Sequence, residues 1–183
     1  MLYFITWNAN KFSEAKAILG TDAVEQLVIE LDEIQSLDPH VVIEHKIKQA
    51  VQYMSDSTFP DDTRFFVEDV SVSFDAMSGF PGTMIKRCIE SIGVREIPRL
   101  LVDYHDKGAT ALCSLGYRDG QQTHFMEGHI HGQIVSPRTD RWFGRDLIFM
   151  PDGYDQTFAE MGQSLKDSIS TRYLALQELK KIL

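Results

Sequence analysis

The sequence predicts an α/β fold on a mixed sheet. Apolar runs of strand length alternate with helical periodicity in the first part of the chain, and a strong hairpin signal follows later. Residues 2 to 7 are apolar and aromatic, with Thr6 near the end, and read as a buried strand. From Lys11 onward Phe12, Ala15, Ile18 and Leu19 recur at helical spacing until Gly20 stops the turn. VEQLVIEL at 24–31 reads as a second strand, after which Asp38 and Pro39 form a cap and first-turn pair for a helix carrying Ile43, Ile47, Ala50, Val51 and Met54 on one face. RFFVEDV at 64–70 is a strand running into acidic residues, and SVSFDAMSGFPG after it reads as a loop punctuated by Gly79, Pro81 and Gly82. Helical patterning resumes near Thr83, breaks at Gly93 and continues toward Tyr104. The runs ATALCSLGYR and QQTHFMEGHIHGQIV flank Asp119 and Gly120, a pair that suits a type I′ hairpin turn. Ile169, Tyr173, Leu176, Leu179 and Ile182 define a last amphipathic helix, whose Lys180 and Lys181 suit the negative end of its dipole.

No repeat, low-complexity tract or linker-like stretch interrupts the 183 residues, so residues 1–183 are expected to form one domain. A chain with 43% hydrophobic and 25% charged residues has enough apolar surface to bury a core, which excludes wholesale disorder. Lysine plus arginine number 18 against 27 aspartate plus glutamate, a net charge of −9, so a duplex nucleic acid would be repelled and no nucleic-acid partner is expected. No basic run precedes the first apolar stretch, and none of the apolar stretches approaches the roughly 18 residues a membrane span requires. Cys88 and Cys113 lack C-x-x-C spacing and read as buried, reduced thiols. A soluble cytoplasmic protein with no membrane partner is the expectation.

Chemistry concentrates in four places. In TWNANK at 6–11 a strand hands over to a helix, so Thr6, Asn8 and Lys11 sit near the positive end of a helix dipole, where phosphate oxygens are stabilised; a plain helix cap uses the same residues. LDEIQ at 31–35 and FFVEDV at 65–70 each deliver carboxylates at a strand end, a candidate Mg²⁺ site, because this hard cation takes oxygen ligands and bridges carboxylates to substrate phosphates. The glycine-bearing loop GFPGTMIK at 79–86 leads to Lys86. From Trp142 to Arg172, aromatic, guanidinium and small polar side chains interleave as a base-recognition pocket requires. His129 and His131 share a probable strand but read as surface histidines, and Trp7 suits either core packing or stacking.

These segments carry a family resemblance. TWNANKFSEAKAIL is similar to the T-x-N-x-x-K-x-x-E-x-x-x-I-L opening of the inosine triphosphate pyrophosphatase family, the non-canonical purine NTP pyrophosphatases or XTP/dITP diphosphatases. VEDVSVSFDAMSGFPGTMIKR resembles its V-E-D-x-x-L-x-x-x-A-L-x-G-x-P-G-x-x-x-K stretch, and EGHIHGQIVSPR its E-G-x-x-x-G-x-I-x-x-P-R. FGRDLIFMPDGYDQTFAEM resembles F-G-[WY]-D-x-x-F-x-P-x-G-x-x-x-T-x-A-E-M. The matches run in order from Thr6 to Arg172. The resemblance implies a two-lobed α/β unit with a long mixed sheet flanked by helices and an active cleft between lobes. It also implies homodimeric assembly and Mg²⁺-dependent cleavage of ITP, dITP or XTP between the α and β phosphates. By position, Thr6, Asn8, Lys11 and, less directly, Lys46 would hold the triphosphate. Glu33, Glu68 and Asp69 would bind magnesium, with Asp69 also the base that activates water. Lys86 would neutralise phosphate charge. Phe143, Gly144, Arg145, Asp146, Lys166, Ser170, Thr171 and Arg172 would line the base pocket.

The departures lie in that pocket. Arg145 stands where the pattern has tryptophan or tyrosine, Leu147 where proline is common, and Thr171 where the pattern has the histidine of S-H-R. A guanidinium and a hydroxyl stack and hydrogen-bond with different geometry from an aromatic ring and an imidazole, so altered or broadened base selectivity is expected. Two other readings stay open: a pyrophosphatase acting on modified or pyrimidine triphosphates, and a nucleotide-binding homologue without turnover.

Overall fold

The computed structural model describes residues 1–20, 24–140 and 144–183. Strand β1 (Leu2–Ile5) leads to helix α1 (Ala9–Leu19), strand β2 (Val24–Leu27) and helix α2 (Pro39–Ser55). Strands β3 (Arg64–Phe74) and β4 (Pro81–Gly82) precede helix α3 (Ile85–Ile92). Strands β5 (Gly108–Arg118), β6 (Thr123–Ile134) and β7 (Phe149–Pro151) follow, then helices α4 (Gln163–Ile169) and α5 (Thr171–Lys180). The strands pair in the order β2-β1-β3-β5-β6-β7, with β4 beside β3. β1 runs parallel to β2 and β3, whereas the β3–β4 and β6–β7 pairs are antiparallel, so the sheet is mixed as expected for this α/β chain. No described helix is long and apolar enough to cross a membrane.

The chain divides into two compact units. The first comprises Met1–Asp69, Cys113–Gly128 and Arg172–Leu183. Its core gathers Ile5, Ile43, Ile47, Ala50, Phe65 and Val67. Asp38 caps α2 by accepting from the His40 N–H, and Pro39 opens the helix, as the sequence predicts. At Gly116 of β5 an added Cβ would lie 2.5 Å from both Ile43 and Ile47, so α2 packs directly against a strand position that has no side chain. The second unit comprises Val70–Leu112 and His129–Thr171. Val72, Phe74, Ile85, Ile97, Ile148 and Phe149 form its centre. Burying side chains of this size contributes about 1.5–3 kcal/mol each.

Four local expectations are corrected. The second strand ends at Leu27 instead of residue 31, because its partner β1 runs out at Ile5 opposite Leu27 and the chain turns into α1. The segment after residue 70, read as a loop, begins with four more residues of β3: Val70, Val72 and Phe74 alternate with Ser71 and Ser73, and Val72 and Ser73 pair with Gly82 and Pro81. In the hairpin the Asp119 N–H donates to the Gln122 carbonyl, and of the turn residues only Gly120 has positive φ. That is the sign pattern of a II′ turn, not I′. The last helix is two helices, because Ser170 is extended (ψ 158°) between α4 and α5. Ile169 packs on the core of the second unit, Ala175, Leu176 and Leu179 of α5 are buried in the first, and Ile182 is exposed past the helix end.

Candidate active site

In the first unit the phosphate-loop candidates form a tight turn. Thr6 Oγ1 accepts from the Asn8 N–H, and Asn8 Oδ1 accepts from the N–H groups of Asn10 and Lys11, capping α1. The cap fixes Lys11 in the first turn, and its Nζ reaches Glu68 Oε1 at 2.9 Å. Glu68 and Asp69 are consecutive on β3, so their side chains leave opposite faces of the strand and meet different helices. Asp69 Oδ1 accepts from Lys46 Nζ at 2.7 Å, and the same ammonium donates to the Glu68 carbonyl at 3.1 Å. Lys46 belongs to the buried stripe of α2, which explains why a lysine there is only 7% exposed.

Arg172 opens α5 and is buried. Its Nε and Nη2 donate to the two carboxylate oxygens of Glu68, both at 2.8 Å, and Nη1 donates to Glu14 on the buried face of α1. All three guanidinium nitrogens are therefore engaged by acids. Burial alone would raise the Glu68 pKa, but the charges of Arg172 and then Lys11 outweigh it and hold the carboxyl well below the usual carboxylate range. Burial would lower the Arg172 pKa, and Glu68 and Glu14 together raise it well above the ordinary value. Sequence reasoning gave Glu14 no role, although it is the glutamate of the T-x-N-x-x-K-x-x-E run and stands among the apolar positions of its helix.

Glu33 is half-buried in an irregular segment and not at a strand end. Its neighbour Asp32 is tied to α2 twice: the Asp32 N–H donates to Gln49 Oε1 and Gln49 Nε2 donates to Asp32 Oδ2. Gln49 lies three residues after Lys46, on the same helix face, so the tether holds the Glu33 segment beside the lysine that grips Asp69. Gln49 is a second residue the sequence reading passed over. Among the described residues no three histidine, cysteine or acidic side chains are grouped so as to hold a metal.

The remaining candidates lie in the second unit, apart from Phe143, which lies outside the described residues, as does Trp142. Lys86 is half-buried in the first turn of α3. Gly144, with φ 66°, opens a 3₁₀ turn over Gly144–Leu147 that carries Arg145 and Asp146. Lys166 of α4, only 6% exposed, pairs with Asp146 at 2.8 Å. Arg145 Nη1 donates to the Ser71 carbonyl at 2.8 Å and at a longer 3.5 Å to that of Leu112, while Nη2 donates to Thr171 Oγ1 at 3.2 Å. Ser170 and Thr171 are both buried at the break between α4 and α5. His131 is exposed, as expected, but bridges two acids: Nδ1 faces Asp152 at 2.7 Å and Nε2 faces Asp75 at 2.8 Å. His129 and Trp7 are also exposed. Cys113 is buried and Cys88 half-buried, and neither is in a disulfide.

Comparison with known proteins identifies the fold and lineage. The chain is 36% identical over 189 residues to the inosine triphosphate pyrophosphatase of Kluyveromyces lactis, covering 100% of this chain and 95% of that protein. It is 34% identical over 202 residues to the enzyme of the same name from Candida albicans, covering 98% and 96%. The fold matches that of the Staphylococcus aureus Ham1 protein with a TM-score of 0.80 at 19% identity, covering 100% and 97% of the two chains. It also matches a nucleoside-triphosphatase, dITP/XTP pyrophosphatase, from Mycobacterium abscessus with a TM-score of 0.72 at 23% identity, covering 98% and 97%. The family model described as Ham1 family matches residues 2–182, and the chain accordingly belongs to the Ham1 family.

Proposed function

We propose that this protein hydrolyses the non-canonical purine nucleoside triphosphates ITP, dITP and XTP to the monophosphate and pyrophosphate in a magnesium-dependent reaction that clears them from the nucleotide pool. The observation that carries the reading is the meeting of two lysines from separate helices with consecutive carboxylates of β3, Lys11 with Glu68 and Lys46 with Asp69. The names and identities of the relatives from Kluyveromyces lactis and Candida albicans support the substrate class. Homodimeric assembly and a cytoplasmic setting belong to the same proposal and rest on family resemblance.

A protein of net charge −9 that accepts a polyanion needs local cations. Lys11 and Lys46 supply them and neutralise phosphate charge as it redistributes, a role that resemblance alone extends to Lys86. Asp69 takes a proton from the attacking water, whose oxygen forms the new P–O bond while the bond between α and β phosphates breaks and pyrophosphate leaves. Glu68, kept ionised by Arg172, holds Lys11 in place. The donor set fits magnesium, which takes carboxylate oxygens and commonly needs only one or two from the protein beside substrate phosphates. Glu33 and Asp69 would hold it in this reading, together with Glu68, whose oxygens are engaged by Lys11 and Arg172. When bound, the cation supplies further neutralisation of the triphosphate. Pyrophosphate release from ITP tests the proposal: release that stops with EDTA is expected. Binding without release would identify a sensor, and turnover indifferent to EDTA would remove the metal from the reaction.

A further inference from the structure

Within the first unit, a cavity of about 350 Å³ opens where α2 ends and β3 begins. That volume lies at the small end of the roughly 300–1,000 Å³ of small-molecule pockets. Met54 of α2, Phe65 of β3 and Phe59 between them supply its apolar part. Phe59 is set by an edge-to-face contact with Tyr3 of β1, the ring centroids 5.5 Å apart. The turn that follows is closed on itself, because the Pro60 carbonyl accepts from the Thr63 N–H at 3.0 Å and from Thr63 Oγ1 at 2.6 Å. The β5–β6 hairpin lies so close to this turn that a Cβ at Gly120 would fall 3.0 Å from the Asp62 Cα. Contacts within the protein therefore fix the walls before any guest arrives.

Three charged side chains line the same cavity: exposed Asp61 and Asp62 from the turn, and half-buried Arg118 from the end of β5. Arg118 Nη1 donates to Thr123 Oγ1 at 3.4 Å, and among the described residues no ion pair links Arg118 to either aspartate. Unlike charges thus share one cavity without neutralising each other. We propose that the cavity is a second ligand site, which takes a small zwitterion with an apolar body, the chemistry of a large apolar α-amino acid. The guest's carboxylate meets Arg118, its ammonium meets Asp61 and Asp62, and its side chain lies against Met54, Phe59 and Phe65. A purely apolar guest would desolvate the charges without pairing them, and two acids to one base disfavour a polyanion. Phe65 precedes Glu68 by three strand residues, about 10 Å, and Met54 follows Lys46 by eight helix residues, about 12 Å. None of the lining residues belongs to the set assigned to the triphosphate.

Calorimetric titration of the full chain tests the site with phenylalanine as the probe. Three analogues each lack one feature: phenethylamine the carboxylate, 3-phenylpropionate the ammonium, and glycine the apolar body. Phenylalanine should bind saturably with a Kd on the order of 1 mM, the scale that ligand efficiency sets for about a dozen non-hydrogen atoms. Phenethylamine and 3-phenylpropionate should each bind about fivefold more weakly, as expected for one partly exposed ion pair, and glycine should give no measurable heat. Arg118→Gln should weaken phenylalanine about fivefold and leave phenethylamine unchanged, while Asp61→Asn combined with Asp62→Asn should weaken phenylalanine and spare 3-phenylpropionate. Absence of saturable binding, equal binding of phenylalanine and both single-charge analogues, or phenylalanine binding untouched by Arg118→Gln overturns the proposal. If a variant fails to fold, the analogue series on the native chain decides alone. Binding is read without turnover, so the result stands or falls separately from the pyrophosphatase reading.

Discussion

Arg172 and Arg145 are both partly or wholly drawn inside, yet they are held in opposite ways. Arg172, in the first unit, meets Glu68 through two nitrogens and Glu14 through a third. Arg145, in the second unit, meets two backbone carbonyls and a hydroxyl. A buried arginine surrounded by carboxylates has its charge cancelled locally, and its removal leaves acids without a counter-ion. Carbonyl and hydroxyl acceptors fix the direction of a guanidinium without adding a buried carboxylate beside it. The first arrangement keeps the buried Glu68 carboxyl ionised, and the second sets the orientation of a guanidinium.

The largest expected effect tests whether the acidic corner is chemical as well as structural. On the proposed mechanism Asp69→Asn removes the base while keeping an oxygen for Lys46, so kcat should fall about 10²–10⁴-fold, a loss well beyond the fraction of protein that the missing counter-ion of the buried Lys46 leaves unfolded. Pyrophosphate release and a thermal melt on the same sample check both halves. Next comes Arg172→Met, expected to destabilise the protein by about 3–5 kcal/mol because Glu68 and Glu14 stay buried without their partner. The depressed Glu68 pKa gives the sign of the native pH dependence. Its contribution is present above the unfolded carboxyl pKa of about 4.3 and is lost as pH falls through the folded value. In the methionine variant the same carboxyl is relieved by protonation. The gap between native and variant in denaturant melts should therefore narrow on acidification, and a constant gap would mean that Arg172 acts by packing alone.

Much of this contrast was legible beforehand, and the rest was not for identifiable reasons. Strand-to-helix handover at Thr6, the Asp38–Pro39 helix start and the two hairpin strands were readable because each is local, set by capping chemistry or period. The continuation of β3 through Phe74 was present as an alternation of Val and Phe with Ser, masked by the glycines and proline that follow. The break at Ser170 was hidden because the apolar spacing runs straight through it, while Ile169 and Leu176 serve different cores. In the site, the residue types were visible but their partners were not. Nothing within a helix says that Glu14 will meet a residue 158 positions away, or that Arg145 will find Thr171. Pairings at such separation are decided by topology, which a linear pattern does not encode.

Arg145→Met sharpens the comparison at a lower magnitude. It leaves the Ser71 carbonyl without this donor, and the expected cost is about 1–3 kcal/mol, smaller than for Arg172→Met. Because carbonyl and hydroxyl anchors do not titrate, the deficit should depend less on acid than that of Arg172→Met. Parallel melts at neutral and acidic pH read the difference, and equal acid dependence in the two variants would erase the distinction drawn between the two arginines.

The smallest effect has the opposite pH sign. Hydrogen bonds from His131 to Asp75 and then Asp152 raise its pKa against the opposing effect of burial. A group whose folded pKa is raised contributes fully below its unfolded pKa, about 6.5, and loses that contribution as pH rises through the folded value. The His131 side chain is 50% exposed, so solvent screening keeps the contribution below about 1 kcal/mol. His131→Ala should therefore lower the melting temperature slightly in mildly acidic buffer and leave it unchanged in alkaline buffer. The second unit would then carry an ion cluster that weakens with base while the first carries one that weakens with acid. A deficit that grew with pH would show instead that His131 stabilises its surroundings as a neutral ring, through packing on β6 and not through its two carboxylates.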